Sequence, residues 1–311
     1  MERSYLASKL ITARIRLSML SARVLNKCGL NVASLSDYYS VLPSTQSLQK
    51  NMGRWFKPSG LAGVRYDLDS MKERLARLTE SYGGEFKGLP PYAENKSKGY
   101  GPGYTAVDAR LLYYMMRELK PRRYIEVGSG LSTYYTSLAA KRNGEEGSPV
   151  RITCVEPFPY EALYTVEGIE VIAREAQDVP EEVFDQLEAG DVLFIDSSHV
   201  VKIDGDVPYL YLEILPRLKK GVFVHIHDIP FPYNVPYPPQ LWVFGQQWPS
   251  FWNEAMLLQA FLCYNDAFDI LMSLPLLRHY DEPFLKARIP DYETLEENPN
   301  TFSSIWIEKV K

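Results

Sequence analysis

The residues best able to do chemistry begin where an apolar run gives way to glycine. Tyr124-Ile125-Glu126-Val127-Gly128-Ser129-Gly130-Leu131-Ser132 reads as a buried strand, a tight turn and the opening of a helix. Without Cβ atoms, Gly128 and Gly130 let the backbone approach a bulky ligand, and the helix start offers it unpaired N–H groups. Thr133 stands where a dinucleotide fingerprint would have Gly or Ala, which speaks against a nicotinamide cofactor. There is no GxxxxGK[ST] phosphate loop either. Glu126, just before the turn, suits a cofactor with a cationic aminoacyl end. A second apolar run ends at Cys154-Val155-Glu156-Pro157, leaving one carboxylate free to accept both hydroxyls of a ribose. Gln177 and Asp178 follow a third run and could meet an adenine edge, although Asp178 with Pro180 serves equally well to start the next helix. Two more apolar runs end in Asp196-Ser197-Ser198-His199 and in His227-Asp228.

Taken together, over about residues 100 to 311, these positions resemble the class I methyltransferase family. In that family a GxG turn, an acidic residue ending strand two and a polar pair after strand three hold S-adenosylmethionine. The resemblance is closest to the small-molecule O-methyltransferase branch, with Asp-x-x-His after strand four and an acidic pair after strand five. It implies that Asp196 and Asp228 match metal-binding carboxylates and that His199 matches a general base. His227 stands where many relatives have an acidic or amide ligand. The implied cofactor residues are Glu126, Gly128, Gly130, Glu156, Gln177, Asp178 and Asp196.

The chemistry of the residues is compatible with that implication. Methyl transfer from a sulfonium is an in-line displacement, so the protein has to align the acceptor and remove its proton. His199 could take a hydroxyl proton near neutral pH, and a cation held by Asp196 and Asp228 would make that hydroxyl more acidic. Oxygen ligands suit Mg²⁺, whereas an imidazole at His227 tilts the site toward a transition metal. Asp196 could equally cap the next element, and His227 could simply bond a carboxylate. His225 shares a strand face with His227 and reads as structural, and His279 as a surface or packing residue. The stretch from Ile229 to Ser250 is rich in proline and aromatics and too long for an ordinary connection. Its Tyr233, Tyr237, Trp242 and Trp248 could form a lid over an apolar acceptor pocket, or a flap packed on other elements.

The elements that would position these residues alternate in period. Strands are expected at Tyr124–Val127, Ile152–Val155, Glu170–Ile172, Val192–Ile195 and Val222–Ile226, with helical patterns between them. That alternation predicts a Rossmann-like α/β fold, a mostly parallel sheet with helices on both faces. Phe268–Met272 and Ser303–Ile307, joined by a loop, suit an antiparallel closing pair. Gly99-Tyr100-Gly101-Pro102-Gly103 marks the start of this domain at residue 100. Residues 1–99 would then be a helical extension acting as a cap or an oligomer contact. One of its helices carries Leu68, Met71, Leu75 and Leu78 and should end near Gly83-Gly84. From Arg3 to Lys27 a basic amphipathic helix could pack on a core or lie on a membrane surface. The net charge of -5 argues against nucleic acid, no apolar run is long enough for a transmembrane helix, and three scattered cysteines suit a reducing cytoplasm. A small-molecule acceptor and a homo-oligomer fit the same picture. A non-catalytic cofactor-binding scaffold and an NAD-dependent oxidoreductase are the competing readings.

Overall fold

Val192–Ile195 is buried at every position, and so are four of the five residues of Arg123–Val127. Such runs can only be strands covered on both faces. The computed structural model, which describes residues 17, 19–32, 38–290, 292–294, 296–298 and 302–311, places them at the centre of a seven-stranded sheet. The strands are β1 (Arg123–Val127), β2 (Arg151–Val155), β3 (Ile169–Ile172), β4 (Val192–Ile195), β5 (Phe223–Ile226), β6 (Phe268–Ser273) and β7 (Ile305–Lys309). Their order is β3-β2-β1-β4-β5-β7-β6. β1 to β5 run parallel, and β7 is antiparallel to both β5 and β6. This is the Rossmann-like arrangement expected from the alternation, with its antiparallel C-terminal pair.

The strand order reverses between β1 and β4, and open α/β sheets bind ligands at such a switch point, beyond the carboxyl ends of the strands. The register aligns those ends, because Val127 pairs with Val155 and with Ile195, and Ile195 pairs with Ile226. Gly128, Glu156, Asp196 and His227 therefore leave the sheet at one level. Ile226 also pairs with Ile305, so the antiparallel β7 enters the sheet with Ser303 and Ser304 at the same edge.

Two local expectations need correction. β6 and β7 are joined through a helix, Leu274–Arg288, and not a plain loop. Its helical period is obscured by Pro275 in the first turn and by Pro283, where Asp281 leaves helical geometry (φ -156°, ψ 65°) and kinks the helix. The Leu68–Lys87 helix runs straight through Gly83 and Gly84. Phe86, beyond those glycines, packs on Tyr113, Tyr114 and Tyr135, and this burial outweighs the weak helix propensity of two glycines. The chain divides into compact units Met1–Trp55 and Phe56–Lys311, with the glycine-rich stretch at residue 100 in the larger one. Buried Arg117 joins three of its helices through Glu85 at 2.9 Å, Glu146 at 2.5 Å and Asn143.

In the smaller unit, residues 19–27 are helical and Ser44 caps a second helix, Thr45–Lys50. Most of the basic amphipathic stretch from Arg3 lies outside the described residues. No helix among the described residues is long and apolar enough to cross a membrane.

Candidate functional site

The turn after β1 is built by the protein's own backbone. Gly128 has φ +81°, and a Cβ there would stand 1.7 Å from the Asp196 carbonyl oxygen. At Gly130 a Cβ would meet the Tyr100 carbonyl oxygen at 2.5 Å. Both glycines are thus needed to admit neighbouring chain, where the sequence suggested room for a ligand. Glu126 does not face the cavity. It is wholly buried, and both its oxygens accept 2.5 Å bonds, from Ser132 Oγ and from Thr133 Oγ1. Burial pushes its pKa up to about 8, against the opposing effect of those hydroxyls. Glu126 therefore braces the helix that follows the turn, as Thr133 Oγ1 also accepts from the Gly130 amide at 3.0 Å.

Beyond β1, β2 and β4 lies a cavity of about 300 Å³, lined by Gly128, Glu156, Gln177, Asp196 and Ser197 among others. The Glu156 carboxylate is fixed by the amides of Ser129 (3.1 Å) and Phe158 (2.8 Å). Two buried atoms of lining residues, Gln177 Oε1 and Ser197 Oγ, have no hydrogen-bond partner among the described residues. Buried polar groups without partners are expensive, so these two call for a polar ligand. Asp178 is exposed and absent from the lining, and its amide bonds the Glu175 carbonyl as a turn residue would. Gly130 is likewise absent from the lining.

Asp196 joins this cavity to a second group. His199 Nε2 stands 3.2 Å from Asp196 Oδ1 and 3.4 Å from Asp228 Oδ2. His227 Nδ1 stands 3.2 Å and 3.7 Å from the same two atoms. His199 and Asp228 both have left-handed backbones, with φ of 59° and 55°. Such conformations cost energy outside glycine and collect at functional sites. The sequence thus identified all four members. Their supports escaped it: Glu254 meets His199 Nδ1 at 2.8 Å, Asp108 meets His227 Nε2 at 3.4 Å, and Ser303 Oγ donates to Asp228 at 2.7 Å. Asp108 reads as an ordinary first-turn acid and Glu254 as a helix start, so nothing in their spacing marks them.

The charges are strongly coupled. Burial opposes a charged His199, yet hydrogen bonds to Asp196 and Glu254 and the charges of Asp228 and Glu254 hold its pKa well above the usual value. Burial likewise opposes a charged His227, and is overcome by the charges of Asp196 and Asp228 and by bonds to Asp108 and Asp196. Asp196 is held well below the carboxylate range, its burial outweighed by both imidazoles. By contrast His225 is pushed well down by burial and by the charge of His227. Its ring stacks on Trp306 at 4.3 Å, and neither nitrogen has a hydrogen-bond partner among the described residues, in keeping with a structural role.

The aromatic segment folds beside this cluster. Tyr237 and Trp242 line a hollow of about 20 Å³ together with Asp228, Pro230, Trp252 and Ser303. Trp252, which the sequence did not single out, packs against both His199 (4.7 Å) and Trp242 (5.4 Å). Tyr233 lies instead between Phe56 and Tyr237, at 5.1 and 4.6 Å, and Trp248 is 71% exposed. His279 packs against Tyr233 with ring centroids 6.2 Å apart.

Residues 125–229 match a family model described as a methyltransferase domain, a span from β1 through Asp228 that contains the turn, the cavity carboxylate and the His/Asp cluster. No curated protein matches the sequence. Similar solved structures include the O-methyltransferase TomG of Streptomyces achromogenes, at 14% identity and a TM-score of 0.42 over 80% of this chain and 92% of that one. An O-methyltransferase of Bacillus cereus matches at 11% identity and a TM-score of 0.42 over 86% and 100% of the two chains. The Podospora anserina methyltransferase PaMTH1 matches at 15% identity and a TM-score of 0.38 over 88% and 99%. These likenesses are too distant to bear on the reaction. Residues 125–229 are therefore similar to a methyltransferase domain, set in a sheet whose strand order and reversed β7 form a Rossmann-like fold.

Proposed function

We propose that the chain transfers a methyl group from S-adenosylmethionine to a hydroxyl of a small molecule. The observation that carries this reading is that Asp196 belongs to both sites, lining the cavity at the switch point and standing 3.2 Å from His199. A cofactor held by Glu156 at its ribose, with Gln177 Oε1 and Ser197 Oγ as further partners, would bring its reactive end toward Asp196. The acceptor would approach between the His/Asp cluster and the wall of Tyr237, Trp242 and Trp252. A hollow of about 20 Å³ holds little more than one water, so acceptor entry requires that wall to part.

The acceptor proton goes to the cluster. With no cation bound, His199 is its base, its ring held by Glu254 at 2.8 Å and available once Nε2 is free of a proton. A divalent cation fits the donor set of Asp196, His227 and Asp228, whose ligand atoms lie within 4.8 Å of one another. When bound it would supply Lewis acidity that lowers the pKa of the acceptor hydroxyl.

The test is to incubate the protein with methyl-labelled S-adenosylmethionine and a panel of phenols, catechols, aliphatic alcohols and amines, and to follow label into product. Labelled ethers support the proposal. Label in amines alone, or cofactor binding with no product from any acceptor, overturns it; the second result describes a scaffold.

A further inference from the structure

We propose that the acceptor carries an oxyanion, a carboxylate or a phosphate, and that Arg278 binds it. This rests on the methyl-transfer reading of the same sheet edge and gives its acceptor a chemical class.

Arg278 lies on the Leu274–Arg288 helix, just before the kink at Asp281. Its guanidinium stands 4.6 Å from the ring centre of Phe302 and 5.4 Å from that of Tyr237. Tyr237 lines the hollow beside Asp228, and Phe302 precedes Ser303, whose Oγ holds Asp228. Tyr237 thus touches both the hollow and the guanidinium, so the parting of the wall that admits an acceptor puts Arg278 within its reach.

The cation has no carboxylate of its own. Among the described residues Arg278 makes no ion pair and donates no hydrogen bond. Glu282, four residues on, would be the ordinary helical partner, but the helix breaks between the two, and Glu282 Oε1 accepts from Tyr292 Oη at 2.8 Å instead. Asp281 is taken by Lys72 at 2.6 Å. Buried Arg117, in contrast, is matched by Glu85 at 2.9 Å and by Glu146 at 2.5 Å.

A guanidinium stays protonated in a protein. Burial works against the charge of Arg278 and lowers its pKa, although Tyr292, Tyr237, Glu282 and Asp108 oppose the shift. Two aromatic faces offset that cost only in part, since a desolvated cation is best matched by an anion that also accepts its hydrogen bonds. A carboxylate or a phosphate suits the planar fork, which can give it two parallel N–H bonds. Charge also sets the direction of entry. Asp196 and Asp228 repel an oxyanion at the reacting end and Arg278 attracts it at the other, so the acceptor comes in with its hydroxyl toward the His/Asp cluster.

The full-length protein, with S-adenosylhomocysteine present, would be titrated calorimetrically with a dihydroxybenzoate, the matching dihydroxybenzamide and the matching dihydroxyphenyl phosphate. The same three compounds would be compared as methyl acceptors with S-adenosylmethionine. One of the two anions should bind about 10- to 100-fold more tightly than the neutral amide, and the larger preference says which oxyanion the site takes. R278M keeps the side chain's length and its packing on the two rings, and should reduce that preference to about twofold or less. R278K keeps the charge without the fork and should fall between the two. An oxyanion preference absent from the wild type, whether all three compounds bind alike or none binds, overturns the proposal, and so does a preference that R278M retains. The wild-type comparison needs no variant, and R278K stands in if R278M does not fold. Binding and transfer are read separately. An Arg278-dependent preference in binding with no methylated product removes the methyl-transfer reading and leaves Arg278 as an anion-binding residue, whereas methylated product with no such preference removes only the present proposal.

Discussion

Replacing Glu126 by Gln swaps a buried carboxyl for a neutral group of the same shape, and its effect on stability should depend on pH in a way few other changes would. The folded pKa of Glu126 is raised from 4.5 to about 8 by burial, while the unfolded chain ionises near the ordinary value. A raised pKa means that the folded form holds a proton the unfolded form has released. Its contribution is therefore intact below pH 4.5 and declines as pH climbs through the folded value. The slope is about 1.4 kcal/mol per pH unit, and the full difference of 8 less 4.5 amounts to roughly 5 kcal/mol. A glutamine keeps one oxygen to accept from Ser132 Oγ and offers an N–H to Thr133 Oγ1, much as the protonated acid does. Urea unfolding of both proteins should be followed by tryptophan fluorescence at pH 5, 6.5 and 8. Taking the difference between variants cancels every other titrating group. E126Q should gain on the wild type by about 4 kcal/mol between pH 5 and 8 and level off above that. A gap that stays constant across this range would mean that Glu126 is ionised where it sits, and the account of the turn as a braced, neutral structure would fail.

Other perturbations have simpler readouts. E156A should weaken S-adenosylmethionine binding by about 10- to 100-fold, the worth of a charge-assisted hydrogen bond or two, as measured by calorimetry. G128A combines a 1.7 Å overlap with a left-handed φ of +81° and should unfold the domain or lower its melting temperature by well over 10 °C, roughly what several kcal/mol implies. Gly144 is the control: it sits in the Leu131–Glu145 helix with nothing near its would-be Cβ, and G144A should stabilise by up to about 1 kcal/mol. W252A should widen the hollow beside His199 and change acceptor KM more than cofactor affinity, which steady-state kinetics would resolve.

The fold was legible because the strands of the parallel set are short, mainly apolar runs, and three of them end at Gly128, Glu156 and Asp196. β4, VLFI followed by Asp196, is the plainest case. The candidate site's edge was legible for the same reason, since residues just past such runs emerge together at one sheet edge. Contacts made across the fold by residues with ordinary local roles were hidden. Asp108 lies 119 positions from His227, and Glu254 lies 55 from His199. Each sits at a helix start, where an acidic residue needs no special explanation. The direction of the Glu126 side chain was hidden too, because its position before the turn says nothing of which way it points, and two hydroxyls in the first turn of the helix hold it inward. The proline-interrupted Leu274–Arg288 helix shows that burial can outweigh both propensity and period.

The central claim is that the cavity at the switch point holds S-adenosylmethionine, and calorimetric titration of the purified protein tests it most directly. S-adenosylmethionine and S-adenosylhomocysteine should each bind at one site per chain, NAD should give no saturable heat, and E156A should weaken both sulfur ligands. Saturable NAD binding, or E156A with undiminished affinity for S-adenosylhomocysteine, would contradict the account.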